Sequence, residues 1–513
     1  MRAGFRTLAV VLVLSGAAAA QASDAPLERG TAIVDPGALR ELDRNRLGLM
    51  HVMMPWRSDD RPLTDAQLFA LPSMAEVAKA LDADIARYIE RHKSELPDES
   101  IGVGSAFAFQ LFDRAQLYSA DTRFVLSGIV NRMDRAYVAP ENCGEIRLIY
   151  RLTQTNASAI GEAAVTPRLP MTLNVVLKAK ADGDAITCAE IARRWLAAGS
   201  LTVTGAELAR TLTAPGGMLD SVRSENIDRI ETNLQIAHAP KSAVRDFRTD
   251  YLMKVFKYDA ASAVFVESPL EDQIDRERLL KDDKLAREFK AWLLAPEHFA
   301  ELDRGTVLIP DKFLARSAIA PTPTGFVPSE LMPAYGLVAG EGSKPVFTED
   351  DVVGALEKAA KHGIALQNIR SVAGFARRLN DVTCAGCHQT RGIGGFHFPG
   401  VDWMAAKPSN TTVVPASPHF FGDQVRRRDI LAAFRDGKPP DFSKGFASRP
   451  QQRGSTELAG TEYEDGWGAH CYVQRARANE NDKSFRAWTC AQGLACEVAT
   501  PATRMGMCFV KTR

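Results

Sequence analysis

Residues 383–400 read TCAGCHQTRGIGGFHFPG and hold the two most closely spaced of the chain's eight cysteines, Cys384 and Cys387. His388 follows the second directly, and His397 lies nine residues further on. Thiols three residues apart stand about one helical turn from each other, a spacing that suits three chemistries. They can close a redox-active or structural disulfide. With His388 or His397 they can hold zinc, although the sequence offers no second close ligand pair. Or they can form two thioether bonds to one porphyrin, with the His388 imidazole set beneath its iron. Accidental occurrence of Cys-x-x-Cys-His in a chain of this composition is on the order of 0.002. Covalent haem is therefore the expectation taken forward, with disulfide and zinc as alternatives.

The far side of such an iron has three candidate ligands in the sequence. His397 sits in GGFHFPG, where glycines let backbone approach a flat group and Phe396 and Phe398 can pack on its edge. Met404, in VDWM, is the one methionine between His388 and the C-terminal 44 residues, and His419 stands in ASPHFFGD. Each has a structural alternative: a loop histidine, a core methionine, a turn. A second protein ligand suits electron transfer, whereas an open or water-bound position admits a small molecule such as peroxide. Arg426, Arg427 and Arg428, with Arg391, offer guanidinium forks for porphyrin carboxylates or else a solvated basic face. Met50, His51, Met53 and Met54 are soft groups suited to copper, or a buried apolar segment.

Covalent haem is attached outside the cytoplasm, so an export signal is an independent requirement. Residues 1–22 meet it: Arg2 and Arg6, an apolar stretch from Leu8 to Ala20, then Ala20-Gln21-Ala22, with cleavage expected before Ser23. No later apolar run approaches the ~20 residues of a membrane helix. The expected product is exported, periplasmic or extracellular, without a transmembrane segment. Removing Arg2 and Arg6 from the 63 basic residues leaves two fewer basic than acidic groups, which argues against a nucleic-acid partner.

With CAGCH and an export signal together, the chain resembles the c-type cytochromes. The resemblance covers roughly 20 of the 513 residues. It implies Cys384 and Cys387 as thioether anchors, His388 as proximal iron ligand, one haem c, and a redox partner protein. The usual di-haem peroxidase needs two such motifs, and this sequence has one.

Several elements must position that motif. Residues 65–95 have helical apolar spacing, with a break at Pro72. Strand patterns follow at 123–130, 144–154 and 169–179, and a hairpin at TDYLMKVFKY and AVFVESP around Asp259-Ala260-Ala261-Ser262. Helices are expected at 188–198, 205–213 and 275–303. The fold class is α+β: a domain over 23–304 with a mainly antiparallel sheet, a Pro/Gly-rich connection over 305–345, and a mainly helical haem segment over 346–436. An irregular linker over 437–469 leads to a disulfide-rich module over 470–513. In the haem segment Thr348 and Asp351 form a capping-box start and Gly363 a stop, an amphipathic helix over 366–380 runs up to Cys384, and a third helix covers 428–436. Among the other cysteines, sequence distance pairs Cys143 with Cys188, and Cys471, Cys490, Cys496 and Cys508 among themselves in a tail too small to fold without staples.

Nothing in the sequence matches a phosphate-binding loop, a dinucleotide fingerprint or a serine nucleophile elbow. The expected function is one-electron transfer through a single covalent haem. The alternatives are a haem-dependent oxidoreductase such as a peroxidase, and a non-haem exported binding protein acting through its cysteine-rich tail.

Overall fold

Apolar side chains recurring at period two, as in FVLSGIV and EIRLIYRL, favour strands whose one face is buried. In the computed structural model they pair into a ten-stranded, almost wholly antiparallel sheet. The structure describes residues 29–54, 65–95, 97–104, 106–154, 168–238, 249–322, 346–384, 424–445, 470–472, 494–497 and 505–510. The strands are β1 (Ala32–Ile33), β2 (Ile101–Gly102), β3 (Phe109–Leu111), β4 (Thr122–Arg132), β5 (Glu145–Gln154), β6 (Arg168–Lys178), β7 (Ile227–His238), β8 (Thr249–Asp259), β9 (Val264–Ser268) and β10 (Ala318–Thr322). Neighbours run β1-β4-β5-β6-β7, and β7 continues to β8. β9 and β10 share the outer edge of β8. β3 takes the edge of β7 beyond the end of β6, and β2 joins β3 in the one parallel pairing.

The helices are α1 (Pro36–Arg44), α2 (Leu49–Met53), α3 (Asp65–Ala70), α4 (Ala75–Glu95), α5 (Cys188–Ala198), α6 (Gly205–Thr213), α7 (Arg276–Lys281), α8 (Asp283–Leu293), α9 (Pro296–Arg304), α10 (Glu349–Lys361), α11 (Val372–Asp381) and α12 (Gln424–Arg435). The α+β class is as expected, and so are the break at Pro72, which becomes a single 3₁₀ turn, and the β8–β9 hairpin. The helix expected over 275–303 is three helices, because Asp282 caps α8 with its side chain and Pro296 must start a new helix.

Two sheet faces meet different partners. Ile129, Leu148, Leu173, Ile230 and Leu252 point into the main core with Leu39, Trp195 and Leu208 of α1, α5 and α6. Their strand neighbours Val130, Ile149 and Met253 point the other way and form a small apolar cluster with Ala32, Ala318 and Cys384. A second core joins α7–α9 to α10 and α11 through Phe289, Phe299, Phe347, Phe375 and Leu379. It draws on both sides of the Pro/Gly-rich stretch, whose first part also supplies Phe313 to this core and β10 to the sheet. The capping box at Thr348 and Asp351 is present. In the tail, β11 (His470–Tyr472), β12 (Leu494–Glu497) and β13 (Met505–Val510) form a separate small antiparallel sheet in the order β11-β13-β12, and Cys496 is disulfide-bonded.

The Cys143–Cys188 disulfide forms as expected, across 45 residues. It ties the left-handed turn Cys143-Gly144, which leads into β5, to the first residue of α5. At Gly144, with φ +86°, a Cβ would lie 2.7 Å from Arg132 O. Reducing the bridge, or replacing both cysteines by alanine, should lower unfolding stability by about 3–4 kcal/mol, read by guanidinium denaturation with and without reductant.

Candidate functional site

Strand alternation puts residues i and i+2 on one face. On β5 that rule sends Glu145 and Arg147 to the side of Ile149, and on β7 it pairs Arg229 with Glu231 on the same side. These charges are buried, with Arg147 at 1% and Glu231 at 3% exposure. Glu145 is their hub. Its Oε1 accepts from Arg135 Nε at 3.2 Å and Arg229 Nη2 at 2.6 Å, and its Oε2 from Arg147 Nη2 at 2.9 Å. Glu231 accepts from Arg147 Nη1 at 3.0 Å and Arg229 Nε at 3.1 Å. Arg135 also pairs with Glu271, in the loop after β9. Burial alone would raise the Glu145 carboxyl, but Arg229, Arg135 and Arg147 outweigh it and hold the group well below its ordinary 4.5.

A second carboxylate organises the turn after β4. Asp134 accepts from Arg132 Nε at 2.8 Å and from Arg426 Nη2 of α12 at 3.0 Å. The cations around it, Arg132 foremost, overcome its burial and keep it ionised. α12 is thereby docked on this turn as well as on α5, with Arg427 buried beside it.

Between the charged sheet face and the second core lies a cavity of about 400 Å³, within the size range of small-molecule sites. Its wall includes Arg135, Tyr137, Glu145, Arg229, Glu271, Asp272, Lys444 and Cys384, with Val255, Leu308, Ile309, Leu314 and Val382 as apolar surface. Asp272 holds a left-handed backbone (φ 57°), and its Oδ1 accepts from Ile309 N at 3.1 Å. Burial and the neighbouring Glu271 push its carboxyl well above 3.8.

α11 delivers Cys384 to this wall. Ser371 caps the helix by accepting from Gly374 N at 3.0 Å, and the chain reaches Cys384 through Val382, which packs in the second core. Cys384 is 7% exposed, with its Sγ 3.8 Å from Glu271 O. The helix is fixed from below by Arg378, which is fully buried and donates from Nη2 to Asp303 O and Lys444 O, both at 2.8 Å. The Asp303 carboxylate accepts three backbone N–H groups, from Gln367, Asn368 and Ile369, at 2.6–2.8 Å. One buried node thus joins α9, the approach to α11 and the segment after α12.

Of the sequence-derived site residues, Cys384 stands on the cavity wall, while Cys387, His388, His397, Met404 and His419 lie outside the described residues, as does Arg391. The arginine run is not a solvated face: Arg426 holds Asp134 and Arg427 is 8% exposed. Met50 and Met54 pack in the main core, and Met53 lies against it. Glu145, Arg147, Arg229, Glu231, Glu271, Asp272 and Lys444 were not singled out by sequence. The available signal was opposite charge at i and i+2 inside an apolar strand, in GEIRLIY and IDRIETN. Among the described residues no group of three or more His, Cys, Asp or Glu is arranged to hold a metal ion, and no helix is long and apolar enough to cross a membrane. No protein-family model, curated protein or solved structure matches the chain.

Replacing Glu145 by Gln should cost about 3–5 kcal/mol at pH 7, because it removes the shared counter-charge of buried guanidiniums. A carboxyl depressed on folding stabilises fully above its unfolded value and progressively less as pH falls through the folded one. The wild type should therefore lose stability below pH 4.5, and the variant should lose less over that acid range. Urea denaturation at pH 7 and pH 3 checks both.

Proposed function

We propose that this chain is an exported c-type haem protein that carries single electrons through one haem bound covalently at Cys384 and Cys387. The observation that carries the reading is CAGCH, whose first cysteine is buried three residues after α11 and lines a cavity. Cys384 and Cys387 would hold the group by thioether bonds, and His388 would ligate the iron from below. Bound there, haem supplies a one-electron iron couple whose potential depends on the sixth ligand and on burial.

The residues around Cys384 suit a porphyrin. Val255, Leu314 and Val382 offer apolar contact on the cavity wall, and Lys444 offers a partner for a carboxylate. Arg378 holds α11, and through it Cys384, at a fixed position against the sheet. The paired charges of the cavity wall tie β5 and β7 to the turn after β4 and to the loop after β9. His397, Met404 and His419 are the candidates for the sixth position, and an exported protein of this kind would work in the periplasm or outside the cell.

The cavity beside the anchor favours a second reading. A haem-dependent oxidoreductase would need room for a small substrate next to the iron-bearing group, and an acid to move protons. Asp272 lines that space, and burial with the neighbouring Glu271 pushes its carboxyl well above the ordinary range, which is the character of such an acid.

Expressed with export and haem-attachment machinery, the protein should give a c-type pyridine haemochrome spectrum and a reversible one-electron redox titration. The Cys384→Ala, Cys387→Ala double variant should be colourless. A colourless wild type made beside a correctly matured control cytochrome would remove the haem reading and move attention to the tail sheet.

A further inference from the structure

We propose that the cavity on the charged face of the sheet is a carboxylate-binding site whose cation is Lys444. The site rests on the cavity and its side chains and stands whether or not haem is attached.

Lys444 lines the cavity and is 8% exposed. Its backbone is pinned at both ends of the residue: the N–H donates to Arg304 O at 2.9 Å, and the carbonyl accepts from Arg378 Nη2 at 2.8 Å. Its Nζ lies 6.0 Å from the Tyr137 ring centre. No carboxylate among the described residues comes within ion-pair distance of that nitrogen. The charged groups facing it are Arg426 from α12, Arg132, Asp134 and Arg135 from the turn after β4, and Asp272 from the loop after β9. Asp134 already serves Arg132 and Arg426. The Arg135 guanidinium is taken up by Glu145 and Glu271. A buried lysine in this setting is costly unless an anion joins it.

The rest of the cavity supplies what a small carboxylate needs. Asp272 stands on the same wall, and burial and Glu271 push its carboxyl well above 3.8, toward the form that can donate to an anion. Leu308, Ile309 and Leu314 give apolar surface for a carbon skeleton. Burial and Arg426 lower the Lys444 amine to about 7. An arriving anion raises it again, so binding near pH 8 takes up a proton.

The test is calorimetry on the full exported chain with acetate, hexanoate and benzoate, and with acetamide, hexanamide and benzamide as neutral controls. At least one acid should bind at least tenfold more tightly than its amide, with proton uptake at pH 8 seen by comparing two buffers. Lys444→Met, which removes the charge and keeps the length, should weaken that acid at least tenfold and abolish the uptake. Should that variant fail to fold, the acid-over-amide preference and the proton uptake of the wild type decide alone. Selective binding by both haem-loaded protein and the Cys384→Ala, Cys387→Ala variant marks a free carboxylate. Selective binding by the Cys384→Ala, Cys387→Ala variant alone identifies a haem propionate as the carboxylate in the loaded protein. Equal binding of acid and amide, no binding in either form, or undiminished binding by Lys444→Met overturns the proposal.

Discussion

Glu145 sits where three guanidiniums converge, from a turn, from its own strand and from β7. A sheet face bearing such charges cannot be covered by an ordinary apolar layer, because each unpaired ion in a low-dielectric interior costs several kcal/mol. Pairing strand charges with one another leaves the face nearly neutral in register, and the covering elements then need only supply the remaining partners. Glu271 does so from the loop after β9, and Arg426 does so for Asp134 from α12. The second core lies on the far side of the cavity, and Val382 at its edge leads to Cys384 on the sheet. The cavity is what remains between a polar wall that cannot collapse and an apolar layer that cannot fill it.

That arrangement explains why Cys384 is where it is. α11 is short and amphipathic, and alone it would not hold the segment that follows it, up to Cys384, against the sheet. Arg378 gives it a fixed depth by binding two carbonyls from separate parts of the chain, and Asp303 gives it a fixed start by gathering three amide groups before it. Cys384 consequently packs with Ile149 and Met253 of the sheet rather than with the helices that precede it. A covalent anchor needs this kind of support, because a group attached to a loosely held cysteine would have no defined orientation toward the rest of the site.

Much of the scaffold was legible in residue pattern. The α+β class, the β8–β9 hairpin, the capping box at Thr348 and the Cys143–Cys188 bridge follow from local spacing, turn chemistry and sequence distance, and local signals survive into the fold. β7 and β10 escaped notice. The charges of β7 interrupt its apolar run on one face, and β10 lies in a Pro-rich stretch where its pairing with β8 overrides local propensity. The charged wall was invisible for a related reason. Arg135, Glu145, Arg229, Glu271 and Lys444 are distant in sequence, and strand register and helix docking, not spacing, bring them together. Cys384 was legible because CAGCH is a contiguous motif, whereas its burial on the sheet depends on Arg378 and Asp303, whose role appears once α9 and α11 are packed.

The central claim is that Cys384 and Cys387 anchor a haem. Peptide mapping by mass spectrometry tests it most directly, on wild-type protein exported in a host with working haem attachment. The account predicts that the peptide spanning Cys384 to His388 carries the mass of one haem through both sulfurs and absorbs in the Soret region. Recovery of that peptide without added haem, with its cysteines joined in a disulfide or coordinating zinc, would contradict it.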